Sequence, residues 1–316
     1  MRTRRNQSSS YPMPFRHRGV VHREASHISV LSDEILSGLT LNEDDVVLDA
    51  TLGGAGHARA LCEKLGKKGI FFGIDADAAA LRRAEEALRD VSPRVVLRHG
   101  NFRNLSQLAL DAGVPALDKA LFDLGWSGFQ LAEGKGFSFL ADEPLQMTYD
   151  APEGALTAHT IVNTWEEASL VSILEGWGEE AHAARIARGI IAARREKSIE
   201  TARELADVIR ASVPVWYRKG HLHPATKTFQ ALRIAVNDEL GALTEGISAA
   251  WNLLNPGGRI AVITFHSVED REVKRLFREF EKAGGRLVSK KPLKPSREEL
   301  RVNPRARSAK LRIIEK

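Results

Sequence analysis

Val46-Val47-Leu48-Asp49-Ala50-Thr51-Leu52-Gly53-Gly54-Ala55-Gly56-His57 is the stretch that decides the fold of this chain. Three apolar residues run into an acid, the form of a buried parallel strand reaching its polar end. The glycines that follow permit positive φ and let a ligand come close to the backbone. Ala58 to Leu65 then has helical spacing. Strand, glycine loop and helix make the first unit of a nucleotide-binding α/β sheet. A second apolar run, Gly69-Ile70-Phe71-Phe72-Gly73-Ile74-Asp75, starts 12 residues after His57 and also ends in an acid. An acid at that place can accept hydrogen bonds from both ribose hydroxyls of an adenosine. Together the two segments predict a bound adenosyl cofactor.

Working outward, apolar runs recur at 45–50, 69–75, 94–98, 117–124 and 258–265, with a last one at Leu311 to Ile314. Ala76 to Arg89 and Leu105 to Gly113 lie between them with helical length and spacing. This alternation predicts a parallel sheet with helices on both faces. Residues 132–225 read differently: Glu166 to Gly176, Glu179 to Glu196 and Thr201 to Ser212 are helical by periodicity, with breaks at Pro214, Gly220 and Pro224. A helical domain inserted after the fourth strand is expected, splitting the cofactor-binding domain into 25–131 and 226–316. Phe229 to Leu254 reads as one long helix, closed by Asn255-Pro256-Gly257-Gly258. Ser267-Val268-Glu269-Asp270 has the form of a capping box opening the next helix.

Cys62 is the only cysteine, so a disulfide framework is excluded and a reducing, cytoplasmic location is expected. No apolar run approaches the roughly 18 residues of a membrane span, so no membrane contact is expected. The net charge of +5 conceals an asymmetry: residues 1–24 carry +5, residues 286–316 carry +8 and the body between them carries −8. Basic ends on an acidic body point to a polyanionic partner such as nucleic acid. Residues 1–24, rich in Arg and Ser, read as a disordered basic arm, a composition that an organellar transit peptide shares.

The glycine loop does not fit a dinucleotide. Gly54 and Gly56 supply the first pair of G-x-G-x-x-G, but Arg59 stands at the third position. No Gly-Lys-Ser/Thr triplet follows for a phosphate cradle. S-adenosylmethionine has no phosphate and needs only a close backbone approach, an acid for the ribose and an apolar wall for the adenine. Gly54, Ala55, Gly56 and His57, then Asp75, then Phe102 supply these in order.

The fourth strand ends Leu121-Phe122-Asp123-Leu124-Gly125-Trp126-Ser127-Gly128-Phe129-Gln130. Ligands in such sheets sit at the carboxyl ends of strands, so Asp123 is expected at the reactive end of the cofactor. The sulfonium donor is already activated, and the enzyme mainly has to position the acceptor. An exocyclic amine is a poor nucleophile, its lone pair delocalised into the ring. Asp123, or the carbonyl of Leu124, accepting its N–H bonds would orient it and offset charge in the transition state. Trp126 and Phe129 are candidates for stacking on an extruded base, with packing against the insert as their alternative role. Gly125 to Phe129 fails the G-x-S-x-G nucleophile pattern, because Phe129 replaces the last glycine. His221, His223 and His266 lack the spacing of known metal motifs, and no metal is expected.

Several segments together resemble one family. They are HISVLSDEIL (27–36), DATLGGAGH (49–57), GIDAD (73–77), GKGFSF (134–139), HPATKTFQALRI (223–234), FHSVEDR (265–271) and NPRARSAKLR (303–312). Their order and spacing resemble the RsmH (MraW) family, S-adenosylmethionine-dependent enzymes that methylate N4 of a cytidine in the decoding region of 16S rRNA. The resemblance implies a class I methyltransferase domain, a Rossmann-like sheet, interrupted by a helical substrate-recognition domain. It implies small-subunit rRNA as partner, in the assembled or assembling 30S subunit. It adds Gln130 to Ala55, Gly56, His57, Asp75, Phe102 and Asp123 as cofactor contacts. Where family members read DLGVSSPQLD and PLDMRMD, this chain reads DLGWSGFQLA from Asp123 and PLQMTYD from Pro144. These changes fall on the acceptor side. They keep open a second reading, a cofactor-binding ribosome-assembly factor with weak or no catalysis.

Overall fold

The apolar runs become the strands of one sheet. The computed structural model describes residues 29–124, 134–149 and 154–316. Its strands are β1 (Val46–Asp49), β2 (Ile70–Asp75), β3 (Arg94–His99), β4 (Leu117–Asp123), β5 (Leu254–Thr264), β6 (Arg286–Leu287) and β7 (Lys310–Glu315), hydrogen-bonded in the order β3-β2-β1-β4-β5-β7-β6. The first five run parallel; β7 is antiparallel to both β5 and β6. β2 and β3 extend the sheet to one side of β1, and β4 then restarts on the other side. The reversal between β1 and β4 opens a crevice at their carboxyl ends, where α/β sheets bind ligands.

The helices are α1 (Ser32–Leu39), α2 (Gly56–Cys62), α3 (Ala78–Ala87), α4 (Leu105–Asp111), α5 (Ala158–Thr164), α6 (Glu167–Gly176), α7 (Ala183–Glu196), α8 (Ala202–Ser212), α9 (Val215–Arg218), α10 (Thr226–Asn237), α11 (Glu239–Leu253), α12 (Ser267–Lys282) and α13 (Arg297–Val302). Successive strand residues point to opposite faces of the sheet. Val47, Phe71 and Leu121 pack with Ile35, Ala58 and Ala84 of α1, α2 and α3. Leu48, Phe72 and Phe122 pack with Leu105, Ile247 and Val273 of α4, α11 and α12. A third core joins Leu170 and Ile173 of α6, Ile186 and Ile190 of α7, and Leu205 and Ile209 of α8. Phe229 and Leu232 of α10 belong to this core too, so it draws on residues from both sides of position 225. Among the described residues no helix is long and apolar enough to cross a membrane.

Three local expectations need correction. The single helix over Phe229 to Leu254 is two, α10 and α11, broken at Asp238, which takes φ 46°. Asp is one of the few residues that tolerate this left-handed conformation, so the chain turns there without losing its apolar periodicity. The Asn255–Gly258 stretch is not a plain helix stop: β5 already begins at Leu254 and is bulged, pairing with β4 through Leu117↔Leu254 and then Lys119↔Arg259. The capping box of α12 begins one residue early. His266 Nδ1 accepts from the Glu269 amide at 3.2 Å, and Glu269 Oε2 accepts from the His266 amide at 3.3 Å. The imidazole does here what a Ser hydroxyl does elsewhere.

Candidate active site

The loop after β1 is built by backbone geometry more than by side chains. Positive φ falls on Gly53 (50°) and Ala55 (62°), and not on Gly54 or Gly56. Ala55 is the N-cap of α2, and its amide donates to the Leu52 carbonyl at 2.7 Å. Leu52 donates in turn to Ile74 of β2, which ties the loop to the neighbouring strand.

Asp75 completes that tie. One carboxylate oxygen accepts from the Gly53 amide and the other from the Asp77 amide, each at 2.8 Å. A carboxylate oxygen has a second lone pair, so both retain capacity for a diol. Burial raises the Asp75 pKa, against the lowering effect of the two amides. The second acid of the GIDAD motif has a structural job: Asp77 caps α3 by accepting from Ala79 at 2.7 Å and is held by Arg83 at 3.1 Å.

Asp123 closes β4 across the crevice from β1. Its amide donates to Thr51 Oγ1 at 2.7 Å, and His57 Nε2 lies 3.5 Å from its Oδ2. Burial opposes a charged His57, but Asp123 and Asp49 outweigh it, and the imidazole pKa lies above its ordinary value. Phe102 stands in a 3₁₀ turn after β3, with its ring edge-to-face on Phe122 at 5.6 Å. Gly246 of α11 makes room for it, since a Cβ there would lie 2.5 Å from the Phe102 ring.

The structure thus brings Gly54, Ala55, Gly56, His57, Asp75 and Asp123 to the ends of β1, β2 and β4, with Phe102 beyond β3. Trp126, Phe129 and Gln130 lie outside the described residues. One residue was overlooked as a site candidate although it was quoted in the opening motif. Asp49 ends β1 fully buried; its Oδ1 accepts from Thr51 at 3.1 Å, and its Oδ2 has no partner. Burial raises its pKa from 3.8 to about 7. Its signal was its place, an acid closing an otherwise apolar buried strand.

These features fit S-adenosylmethionine. The orphaned acceptor on Asp49 suits a cationic methionine ammonium, Asp75 suits a ribose diol, and a left-handed loop exposes backbone between them. The strand order and the site together define a class I S-adenosylmethionine-dependent methyltransferase. A family model described as the MraW methylase family matches residues 24–316. A ribosomal RNA small subunit methyltransferase H of a Paenibacillus species is 46% identical over 313 residues, 92% of this chain and 99% of that protein. The protein of that name from Brevibacillus brevis is 43% identical over 307 residues, 92% of this chain and 98% of the other. That from Clostridioides difficile is 42% identical over 310 residues, covering 93% and 99%. The chain belongs to the MraW methylase family.

A second polar cluster lies where α10, α11 and α12 meet. Glu239, His266 and Glu269 bring their ligand atoms within 4.8 Å of one another, a spacing that a metal ion would suit. The cation they face is Arg233. Its Nε is 2.6 Å from Glu239 Oε1, and its Nη2 is 3.8 Å from Glu269 Oε1. Tyr149 donates to Glu239 at 2.6 Å from the segment that departs from the family pattern. Beside it, Thr148 is buried with an unpartnered hydroxyl. The residue that stands where family members have Arg is thus an interior one in this chain.

Proposed function

We propose that this chain transfers a methyl group to N4 of a cytidine in the decoding region of 16S rRNA, acting on the assembled or assembling 30S subunit in the cytoplasm. The observation that carries this reading is the fixing of Asp123 at the β1/β4 crevice by Thr51 and His57. A carboxylate is an acceptor only, so it suits an amine whose N–H groups need orienting. Relatives more than 40% identical over almost their whole length and named for small-subunit rRNA support the substrate class. The strongly basic 286–316 segment supports a phosphate-rich partner.

In this reading residues 25–131 and 226–316 form the cofactor-binding domain, 132–225 a substrate-recognition insert and 1–24 a basic arm. Bound S-adenosylmethionine supplies a methyl group already activated on sulfur. Gly54, Ala55, Gly56 and His57 would hold its amino-acid end with Asp49, while Asp75 holds the ribose and Phe102 walls the adenine. Gln130 adds a further contact to the cofactor. Asp123 accepts from the amine, turns its lone pair toward the donor and offsets the positive charge growing on nitrogen. Trp126 and Phe129 stack on the base. His57 acts through Asp123, as a positioning residue.

The test is transfer of labelled methyl to 30S subunits with the product nucleoside identified by mass spectrometry. N4-methylated cytidine is the expected product, and label found only on a ring carbon or a ribose oxygen overturns the amine reading. The altered 123–132 and 144–150 segments favour one alternative, an assembly factor with little catalysis. Subunit binding without transfer at saturating cofactor would decide for it.

A further inference from the structure

The turn between α8 and α10 carries a group that the reaction centre does not use. Val215 and Trp216 of α9 are 62% and 69% exposed. A single exposed apolar side chain is ordinary, and what sets this one apart is that it is braced. The ring is held in place. It meets the rings of His182 and Tyr217 at 5.6 Å and 5.8 Å, both steeply inclined. Tyr217 crosses His182 at 4.7 Å, and its one hydroxyl proton is directed at the Glu180 carboxylate, with the oxygens at 3.0 and 2.8 Å. Glu180, only 2% exposed, also accepts the His182 amide at 2.8 Å. A buried carboxylate thus fixes the Tyr217 ring and the backbone of His182, the two residues that brace Trp216, and this reduces the ordering left to be done on binding.

Basic residues stand on the helices that flank Trp216. Arg185 stands one turn along α7 from His182, Arg210 lies near the end of α8 and Lys219 follows α9, all exposed. None of the three has a carboxylate partner among the described residues. Of the acids close by in the chain, Glu180 is taken by Tyr217 and Glu179 by Ser267 and Arg271, while Asp207 stands exposed one turn before Arg210. A fixed, solvent-facing aromatic ring among unpaired cations is the arrangement that binds single-stranded nucleic acid, with a base on the ring and phosphates on the cations.

We propose that Trp216 is a stacking platform for an unpaired base of the RNA substrate, away from the reacting base, with Arg185, Arg210 and Lys219 taking the adjoining phosphates. This rests on the rRNA reading above and names the part of the insert that makes the contact. The experiment measures 30S methylation kinetics, together with binding of 30S subunits and of a single-stranded oligonucleotide from the decoding region. Trp216→Ala is expected to raise KM and both dissociation constants about tenfold, with kcat and S-adenosylmethionine affinity unchanged. Trp216→Phe should keep most of the affinity, because a phenyl ring still stacks. Replacing Arg185, Arg210 and Lys219 together by Gln should flatten the slope of log affinity against log salt by about 2. Wild-type KM and binding in Trp216→Ala overturn the platform and leave the methyltransferase reading standing. A changed sedimentation of Trp216→Ala alone, with RNA binding intact, assigns the ring to a second copy of the chain and also overturns it. A wild-type chain that neither binds nor methylates small-subunit RNA removes both readings together.

Discussion

Asp49 shows how one residue couples the fold to the cofactor. It sits fully buried with an orphaned oxygen, and burial lifts its pKa from 3.8 to about 7. The folded protein therefore holds a proton across that window that the unfolded chain has released. Stability from this group is greatest at the acid end, falls as pH rises through the window, and is constant above it. Asp49→Asn removes the ionisation, so its stability relative to wild type should improve as pH rises from about 4 to about 7 in denaturant titrations. A constant difference would show that Asp49 is not the group responsible. If the ionised carboxylate meets a ligand ammonium, wild-type S-adenosylmethionine affinity should rise over the same range and the variant's should not. Asp75 makes a simpler case. Asp75→Ala loses the amide contacts from Gly53 and Asp77 and, on the proposed role, its two bonds to the ribose. Calorimetry should show S-adenosylmethionine binding weakened by about tenfold to a hundredfold, and unchanged affinity would remove the ribose role. At this scale much of the site was legible: a strand ending in an acid can be read from one line of sequence. That Asp49 lacks a partner could not be read, because it depends on what β2, β4 and α2 place around it.

The GKGFSF segment belongs to the scale of the element. Its glycines are visible in the sequence, but the reason for the second one is not. Gly136 has φ 77°, and a Cβ there would lie 2.3 Å from the Pro144 carbonyl oxygen. The segment folds back on itself so that Leu145 can donate to Glu200 and Ala202 to Glu143, which hems it to the start of α8. Gly136→Ala brings both left-handed strain and a backbone collision, and should destabilise the protein by about 2 kcal/mol or more. Thermal unfolding of the variant is the check, and a wild-type midpoint would mean the turn relaxes freely. The α10–α11 break belongs at this scale as well. Asn237-Asp238 was the available clue, since both residues tolerate left-handed backbone. Apolar periodicity passes through it because both helices bury apolar residues, α10 in the helical core and α11 against the sheet.

Across the whole molecule, the helical core is joined to the sheet through polar groups. Asn237 donates to the Met147 carbonyl at 2.8 Å and accepts from the Tyr149 amide at 2.9 Å. Next to it, Arg233 is buried between Glu239 and Glu269, and the His266 that caps α12 is 3.4 Å from its guanidinium. Burial opposes the charge on Arg233, but Glu239 and its neighbours outweigh it and hold the group firmly protonated. Removing one member of such a network leaves the opposite charge buried alone. Arg233→Met should therefore cost about 3–5 kcal/mol in equilibrium unfolding, and a loss under about 1 kcal/mol would show that water reaches the joint. The sequence offers Glu269 for a helix cap and weighs His266 as a metal ligand, but gives Arg233 no role. Their partnership spans 36 residues and three helices, and local spacing does not encode it.

The sequence by itself determined the class of sheet, the cofactor loop, the acids at the ends of β1, β2 and β4 and the presence of a helical insert. Each of these is written in a local pattern, an apolar period or a run of small residues, and local patterns follow from the backbone's own geometry. Only the tertiary structure decided which acid is left without a partner, which carboxylates face Arg233 and which indole stands braced in water. Those properties arise from desolvation and from contacts between distant segments, and they exist only once the chain has closed on itself.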